Sequence, residues 1–190
     1  MKKLAIYIAV LLLFPLTVNA GNYFSLNAGQ YKPYISSGAF RGIDETNTST
    51  KTVKGFGYGY RFNGVLALEG NYYDMGEFSW RAQLHNAESK LKVELLAAST
   101  LVSIGNFYGR GGLAYAMTDG QVEASKQSNV EKGSHSSNKL VPFYGVGYRR
   151  NINKHLTGGI EYTSYQNVGI EKINLQSDIN YLGVSLLLGW

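Results

Sequence analysis

An alternation of apolar and small residues with a period of two recurs along this chain, and it restricts the fold more than any other feature. Successive strand side chains point to opposite faces of a sheet, so the pattern reads as strands with one greasy face. It is cleanest in Asn180–Trp190, where Leu182, Val184, Leu186, Leu188 and Trp190 alternate with Gly183, Ser185 and Gly189. Upstream, Phe24, Leu26 and Ala28 alternate with Ser25, Asn27 and Gly29; Phe56, Tyr58, Tyr60 and Phe62 with Gly55, Gly57, Gly59 and Arg61; and Leu66, Leu68 and Tyr72 with Ala67, Glu69 and Asn71. Further on, Leu113, Tyr115 and Met117 oppose Arg110, Gly112 and Ala114. Tyr144, Val146 and Tyr148 oppose Phe143, Gly145, Gly147 and Arg149, and Leu156, Ile160 and Tyr162 oppose Thr157, Gly159 and Glu161. Lys90–Val102 is less clean: Leu91, Val93, Leu95, Ala97 and Leu101 are set against Lys92, Glu94, Ala98 and Thr100. The same rule makes the leucine-bearing set the outer one there. The count is eight strands.

The connections alternate in length. Arg61–Val65, Ser103–Asn106 and Arg150–Lys154 carry the Asn and Gly of tight hairpin turns. Between them lie long polar stretches, roughly Ser36–Thr50, Met75–Ser89, Thr118–Asn138 and Gln166–Ser177, read as loops. Short turns on one side and long connections on the other are the asymmetry of an outer-membrane barrel. A soluble barrel would show the same alternation inside out, with a Lys- and Glu-rich solvent face. Here the second face is mostly Gly, Ser, Thr and Ala, which suits the crowded interior of eight strands.

Other features agree. Glycine at 23 and tyrosine at 15, with three prolines and 16% charged residues, suits many short strands. No stretch after residue 20 is apolar for the 18 residues a membrane helix needs. Met1–Ala20 has Lys2 and Lys3, an apolar stretch Leu4–Phe14 and a Val18-Asn19-Ala20 end, the pattern of a cleaved signal peptide. Gly21–Trp190 is then one domain, an all-β, eight-stranded antiparallel up-and-down transmembrane β-barrel in the outer membrane. Without Lys2 and Lys3 the net charge falls from +5 to +3, and no Lys/Arg run points to nucleic acid. The absence of cysteine excludes disulfides and Cys-based chemistry.

Two segments carry a family resemblance. Val141-Pro142-Phe143-Tyr144-Gly145-Val146-Gly147-Tyr148, followed by an Asn-rich turn and Gly159-Ile160-Glu161-Tyr162, resembles the sixth and seventh strands of the OmpA-like eight-stranded barrels. That group includes adhesion, serum-resistance and opacity-type proteins. Leu182–Trp190 is similar to the last strand, although phenylalanine is more usual at the terminal position than Trp190. The resemblance implies that Leu182, Val184, Leu186, Leu188 and Trp190 form a signal for the barrel-assembly machinery. Larger members carry a peptidoglycan-binding domain after the barrel; this sequence stops at Trp190, so that tether is not expected.

The presumed interior face carries Glu69, Lys92, Glu94, Arg110, Arg149 and Glu161, with Arg61 near a turn. Buried charges of both signs should pair. A pore gated by an Arg–Glu switch is one reading; a filled, static core is the other, and the narrow lumen favours it. His135-Ser136-Ser137-Asn138 resembles a lipid A deacylase motif, but the acidic partner expected a dozen residues on falls near Arg149, so no enzyme is expected. His85 and His155 lack partners at metal-ligand spacing, and no cofactor is expected. Function then falls to the long connections, where Phe40, Arg41, Phe78, Trp80 and Arg81 are the contact candidates. The role expected of these connections is structural or adhesive; outer-membrane lipid and lipopolysaccharide are the expected surroundings, and a host-surface protein or glycan the expected partner in the adhesive case.

Overall fold

The computed structural model describes residues 21–32, 50–82, 87–126, 129–170 and 175–189. Eight strands form a closed, wholly antiparallel barrel in sequence order: β1 (Gly21–Tyr31), β2 (Lys51–Arg61), β3 (Leu66–Ala82), β4 (Ala87–Ile104), β5 (Phe107–Lys126), β6 (Asn129–Asn151), β7 (Leu156–Ile170) and β8 (Leu175–Gly189). Closure is made by β1 against β8, in register from Tyr23↔Gly189 to Tyr31↔Tyr181. A closed barrel leaves no edge within the bilayer, where an unpaired backbone group is costly. The signal segment and the Ser36–Thr50 connection lie outside the described residues, apart from the last position of the latter.

The short turns are built by side chains that replace ladder bonds. Asn63 Oδ1 accepts from the backbone N–H groups of Val65 (2.8 Å) and Leu66 (2.7 Å), and Asn153 Oδ1 does the same for His155 (2.8 Å) and Leu156 (2.9 Å). The third turn uses Gly105 at φ +61°, a conformation a β-carbon disfavours.

In seven strands the alternation predicted the wall correctly. Leu26, Phe56, Tyr58, Leu68, Leu113, Tyr144, Val146, Ile160, Leu182 and Val184 are exposed, and they form one outward apolar band. On β4 the outward band runs from Leu96 to Ile104, a height of about 20–25 Å once strand tilt is applied. The interior face alternates glycine with tyrosine by design of fit. A β-carbon on Gly59 would strike the Tyr23 ring, one on Gly147 the Tyr108 ring, and one on Gly183 the Tyr181 ring. Tyr23 and Tyr108 each lie against a glycine of another strand, while Tyr181 lies against Gly183 of its own strand and Gly29 of β1.

Strand β4 reverses its expected phase. Leu91, Val93, Leu95, Ala97 and Leu101 are buried inside, while Leu96 and Val102 face out. Lys92 and Glu94 therefore leave the interior; they sit on the outer wall and pair with each other at 2.7 Å. The reason is that the outer half of the interior is itself apolar, so the greasier face of this strand is the inner one. Tyr31, Val53, Tyr73, Met75, Leu91, Val93, Leu95, Val141, Phe143, Tyr165, Val168, Ile179 and Tyr181 belong to one buried cluster there.

Three of the four stretches read as loops are mostly strand. Strand β3 pairs with β4 out to Ala82↔Ala87, β5 with β6 out to Lys126↔Asn129, and β7 with β8 out to Ile170↔Leu175. Ser, Asn, Gly and Lys are weak strand formers, but a ladder begun in the membrane continues past it when its neighbour does. Phe78, Trp80 and Arg81 consequently lie on β3, opposite Leu91, Ser89 and Glu88. His135–Asn138 lies inside β6 rather than at a loop's end, opposite Met117–Gly120 of β5.

Candidate functional site

Two parts of the barrel carry chemistry, one inside and one at the long-hairpin rim. Inside, towards the short turns, Glu69 on β3, Arg110 on β5, Arg149 on β6 and Glu161 on β7 come together. Arg149 Nη1 lies 2.9 Å from Glu69 Oε1, and Arg110 Nη1 lies 3.1 Å from Glu161 Oε2 and donates to it. Arg110 Nη2 also lies 3.8 Å from Glu69, joining the two pairs. Residues that sequence reasoning passed over complete the network. Tyr23 donates to Glu69 at 2.7 Å, Tyr108 donates to Glu161 at 2.8 Å, and Arg110 donates to Tyr73 and Ser99 at 3.2 Å each. The Arg149 guanidinium lies 4.3 Å from the centre of the Tyr108 ring.

These tyrosines were recoverable in principle, because each sits on the small-residue face. Finding them required the cross-strand register that puts each beside its glycine. Within the cluster, two acids balance two guanidinium groups. Directly above it the interior turns aromatic: Phe143 and Tyr165 are 5.0 Å apart, Tyr73 and Tyr181 5.9 Å, and Tyr73 and Tyr165 6.3 Å. Above that come Val53, Met75, Leu91, Val93, Val168 and Ile179. An ionic layer, an aromatic layer and an aliphatic layer thus fill the tube in succession.

At the rim the wall stops being a tube. The β2–β3 ladder ends at Lys54↔Asp74, and the β6–β7 ladder ends at Phe143↔Tyr165. Both endings coincide with a bulge, between Asp74 and Glu77 on β3 and between Tyr165 and Val168 on β7. Gly76 (φ +76°) takes the first bend, with its N–H donating to Asp74 Oδ1 at 2.8 Å. Asn167 (φ +55°) takes the second, its N–H donating to Asp178 Oδ1 at 2.9 Å. Bulges re-aim a strand and end its pairing. β3 and β7 are four strands apart in the circle of eight, so the two breaks face each other across the barrel.

The consequence is a four-stranded sheet, β3 to β6, that continues beyond the membrane with two edges unpaired among the described residues. The longer edge is β6 from Asn129 to Pro142, paired with β5 on one side and, among the described residues, with nothing on the other. At roughly 3.3 Å per residue it is about 45 Å long. Its register against β5 is unbroken, so no bulge blunts it, and its one proline, Pro142, sits where the β7 ladder begins. Of the sequence-derived contact candidates, Phe78, Trp80 and Arg81 lie on the opposite edge of this sheet, on β3, whereas Phe40 and Arg41 lie outside the described residues.

Residues 20–188 match the OmpA-like transmembrane domain family. No curated protein sequence matches the chain. Among solved structures it is similar to the attachment invasion locus protein Ail of Yersinia pestis in complex with the heparin analogue sucrose octasulfate, with a TM-score of 0.57 at 13% identity, over 90% of this chain and 100% of that one. The structure of Ail alone gives a TM-score of 0.51 at 13% identity, again over 90% and 100% of the two chains. At these identities the likeness is one of fold.

Proposed function

This chain belongs to the OmpA-like transmembrane domain family, and on that premise we propose that it is a non-enzymatic surface protein whose outer sheet attaches the cell to a host surface. Its location in the outer membrane follows from the fold and the family. Removal of Met1–Ala20 on export, and delivery by the assembly machinery through Leu182–Trp190, belong to the same proposal. The observation that carries the adhesive role is the free β6 edge. An exposed edge offers a row of unpaired N–H and C=O groups to an extended polypeptide, and small side chains such as Ser136 and Ser137 leave the approach open. The name of Ail and its bound heparin analogue support a host-surface role in general terms. A sulfated glycan is therefore the second partner to test.

Shortening the β5–β6 hairpin by deleting residues 122–133 is expected to reduce attachment of expressing bacteria to host cells while leaving the barrel intact. Ser136→Pro and Ser137→Pro sharpen the test, because neighbouring residues of a strand direct their N–H groups to opposite sides. One of the two removes a donor on the free edge and should impair attachment; the other removes a donor to β5 and should not. Competition by soluble heparin separates a glycan partner from a polypeptide one. Undiminished attachment after hairpin deletion would refute the proposal.

A narrow pore is the alternative function, and the interior argues against it. A conducting path would have to cross the aromatic layer and a dry aliphatic layer in which Val53, Met75 and Leu95 show no accessible surface.

A further inference from the structure

The short-turn end of the barrel differs in charge from the long-hairpin end. No acidic residue occurs in Arg61–Leu66, Ser103–Phe107 or Arg150–Leu156, whereas Arg61, Arg150 and Lys154 do. At the other rim, acids and bases are mixed: Lys54 faces Asp74 across strands, Lys92 pairs with Glu94, and Lys92 faces Asp119. The acids nearest the short turns, Glu69 and Glu161, are buried and already paired.

The turns are also unusually apolar for turns. Ile104 is 82% exposed and Ile152 63%, with Phe62 and Phe107 exposed beside them. In water such tips would be polar. Ile104 and Phe107 hold the strand ends and Phe62 and Ile152 carry the outward apolar band past them, so the membrane interface covers the turns themselves. Arg150 and Lys154, both exposed, flank Ile152 on a turn held rigid by Asn153 and by the Gly189 N–H donating to the His155 carbonyl at 2.9 Å. Cations fixed among interfacial apolar side chains sit at the depth of lipid phosphates, and an anionic headgroup compensates them where a zwitterionic one does not.

We propose that the short-turn end is a binding surface for anionic glycerophospholipid headgroups, centred on Arg150 and Lys154; Arg61 takes no part, because its guanidinium lies inward, 5.7 Å from the centre of the Tyr23 ring. The inference rests on the membrane-spanning reading of the barrel and not on adhesion, so either can fail alone. Each basic side chain near an anionic surface strengthens binding by about fivefold.

The test uses the full barrel in lipid nanodiscs containing trace spin-labelled phosphatidylglycerol or phosphatidylethanolamine, with the protein-immobilised fraction of each read by electron paramagnetic resonance. The native protein is expected to immobilise phosphatidylglycerol several-fold more than phosphatidylethanolamine, less so in high salt. Arg150→Gln with Lys154→Gln should remove most of that preference, while Lys54→Gln with Lys90→Gln at the other rim should keep it. Equal immobilisation of the two lipids by the native protein would overturn the proposal. So would a preference untouched by the Arg150/Lys154 pair, or one that disappears with the Lys54/Lys90 pair instead. Because the first comparison needs no variant, misfolding of a variant cannot rescue the proposal.

Discussion

Replacing Arg110 by methionine is the most direct probe of how the interior is held. Arg110 is buried, and its removal leaves Glu161, among the described residues, with the Tyr108 hydroxyl, whereas Glu69 keeps Arg149 and Tyr23. The cluster passes from two acids and two guanidinium groups to one uncompensated carboxylate. Removing one partner of a buried pair costs about 3–5 kcal/mol, because the other charge stays behind without its hydration. Glu161→Gln added to Arg110→Met removes that stranded charge, and replacing a whole buried pair is close to neutral. The double variant should therefore recover about 2 kcal/mol or more relative to the single Arg110→Met. Equilibrium unfolding by urea in lipid vesicles measures both. With a slope of about 2–3 kcal/mol per molar, the single variant should unfold about 1–2 M earlier than native and the double variant should regain most of that loss. A single variant within about 0.5 kcal/mol of native, or a double variant no more stable than the sum of its parts predicts, would show that the four groups are not coupled.

Other outcomes follow from the same geometry. Gly147→Val should destabilise the barrel by about 1–3 kcal/mol by driving a side chain into the Tyr108 ring, whereas Gly109→Val, which meets open space on the outer wall, should be tolerated; urea midpoints separate them. With Trp80 and Trp190 replaced by phenylalanine, Leu96→Trp should be quenched by lipids with brominated chains and Leu95→Trp should not; the reverse would restore the other phase of β4. In planar bilayers the native protein should give no discrete conductance steps, and steps altered by Glu69→Ala would revive the pore. Breaking the partly exposed Lys92–Glu94 pair with Lys92→Met should leave the urea midpoint nearly unchanged, in contrast to Arg110→Met.

The places where sequence reasoning succeeded and failed share one cause. The small-residue face of β3, β5, β6 and β7 identified Glu69, Arg110, Arg149 and Glu161 as interior, because lipid tolerates no such groups outside. The turns at Asn63, Gly105 and Asn153 were legible because their chemistry is local. On β4 the rule that the greasier face meets lipid failed: Leu91, Val93 and Leu95 serve an apolar interior that is assembled from Val53, Met75, Val168 and Ile179 on other strands. No window of sequence contains that information. The polar stretches Met75–Ser89 and Thr118–Asn138 read as loops in sequence because their own residues favour turns, while their pairing comes from register set far below them. The tyrosine partners of the ionic layer were missed for the same reason, since Tyr23 meets Gly59 and Tyr108 meets Gly147 only once the strands are aligned.

The ionic layer also bears on how the barrel comes into being. Its hydrogen bonds and ion pairs tie β1 to β3, β3 to β5 and β6, and β5 to β7, so no two consecutive strands contain a satisfied set. A half-curled sheet in the bilayer would hold carboxylates and guanidinium groups that still lack their counterparts, in a medium that offers them nothing else. Such an intermediate is penalised until the far strands arrive. Assembly is thereby pushed towards an all-or-nothing event, in which the seam between β1 and β8 closes at the same time as the charges find one another.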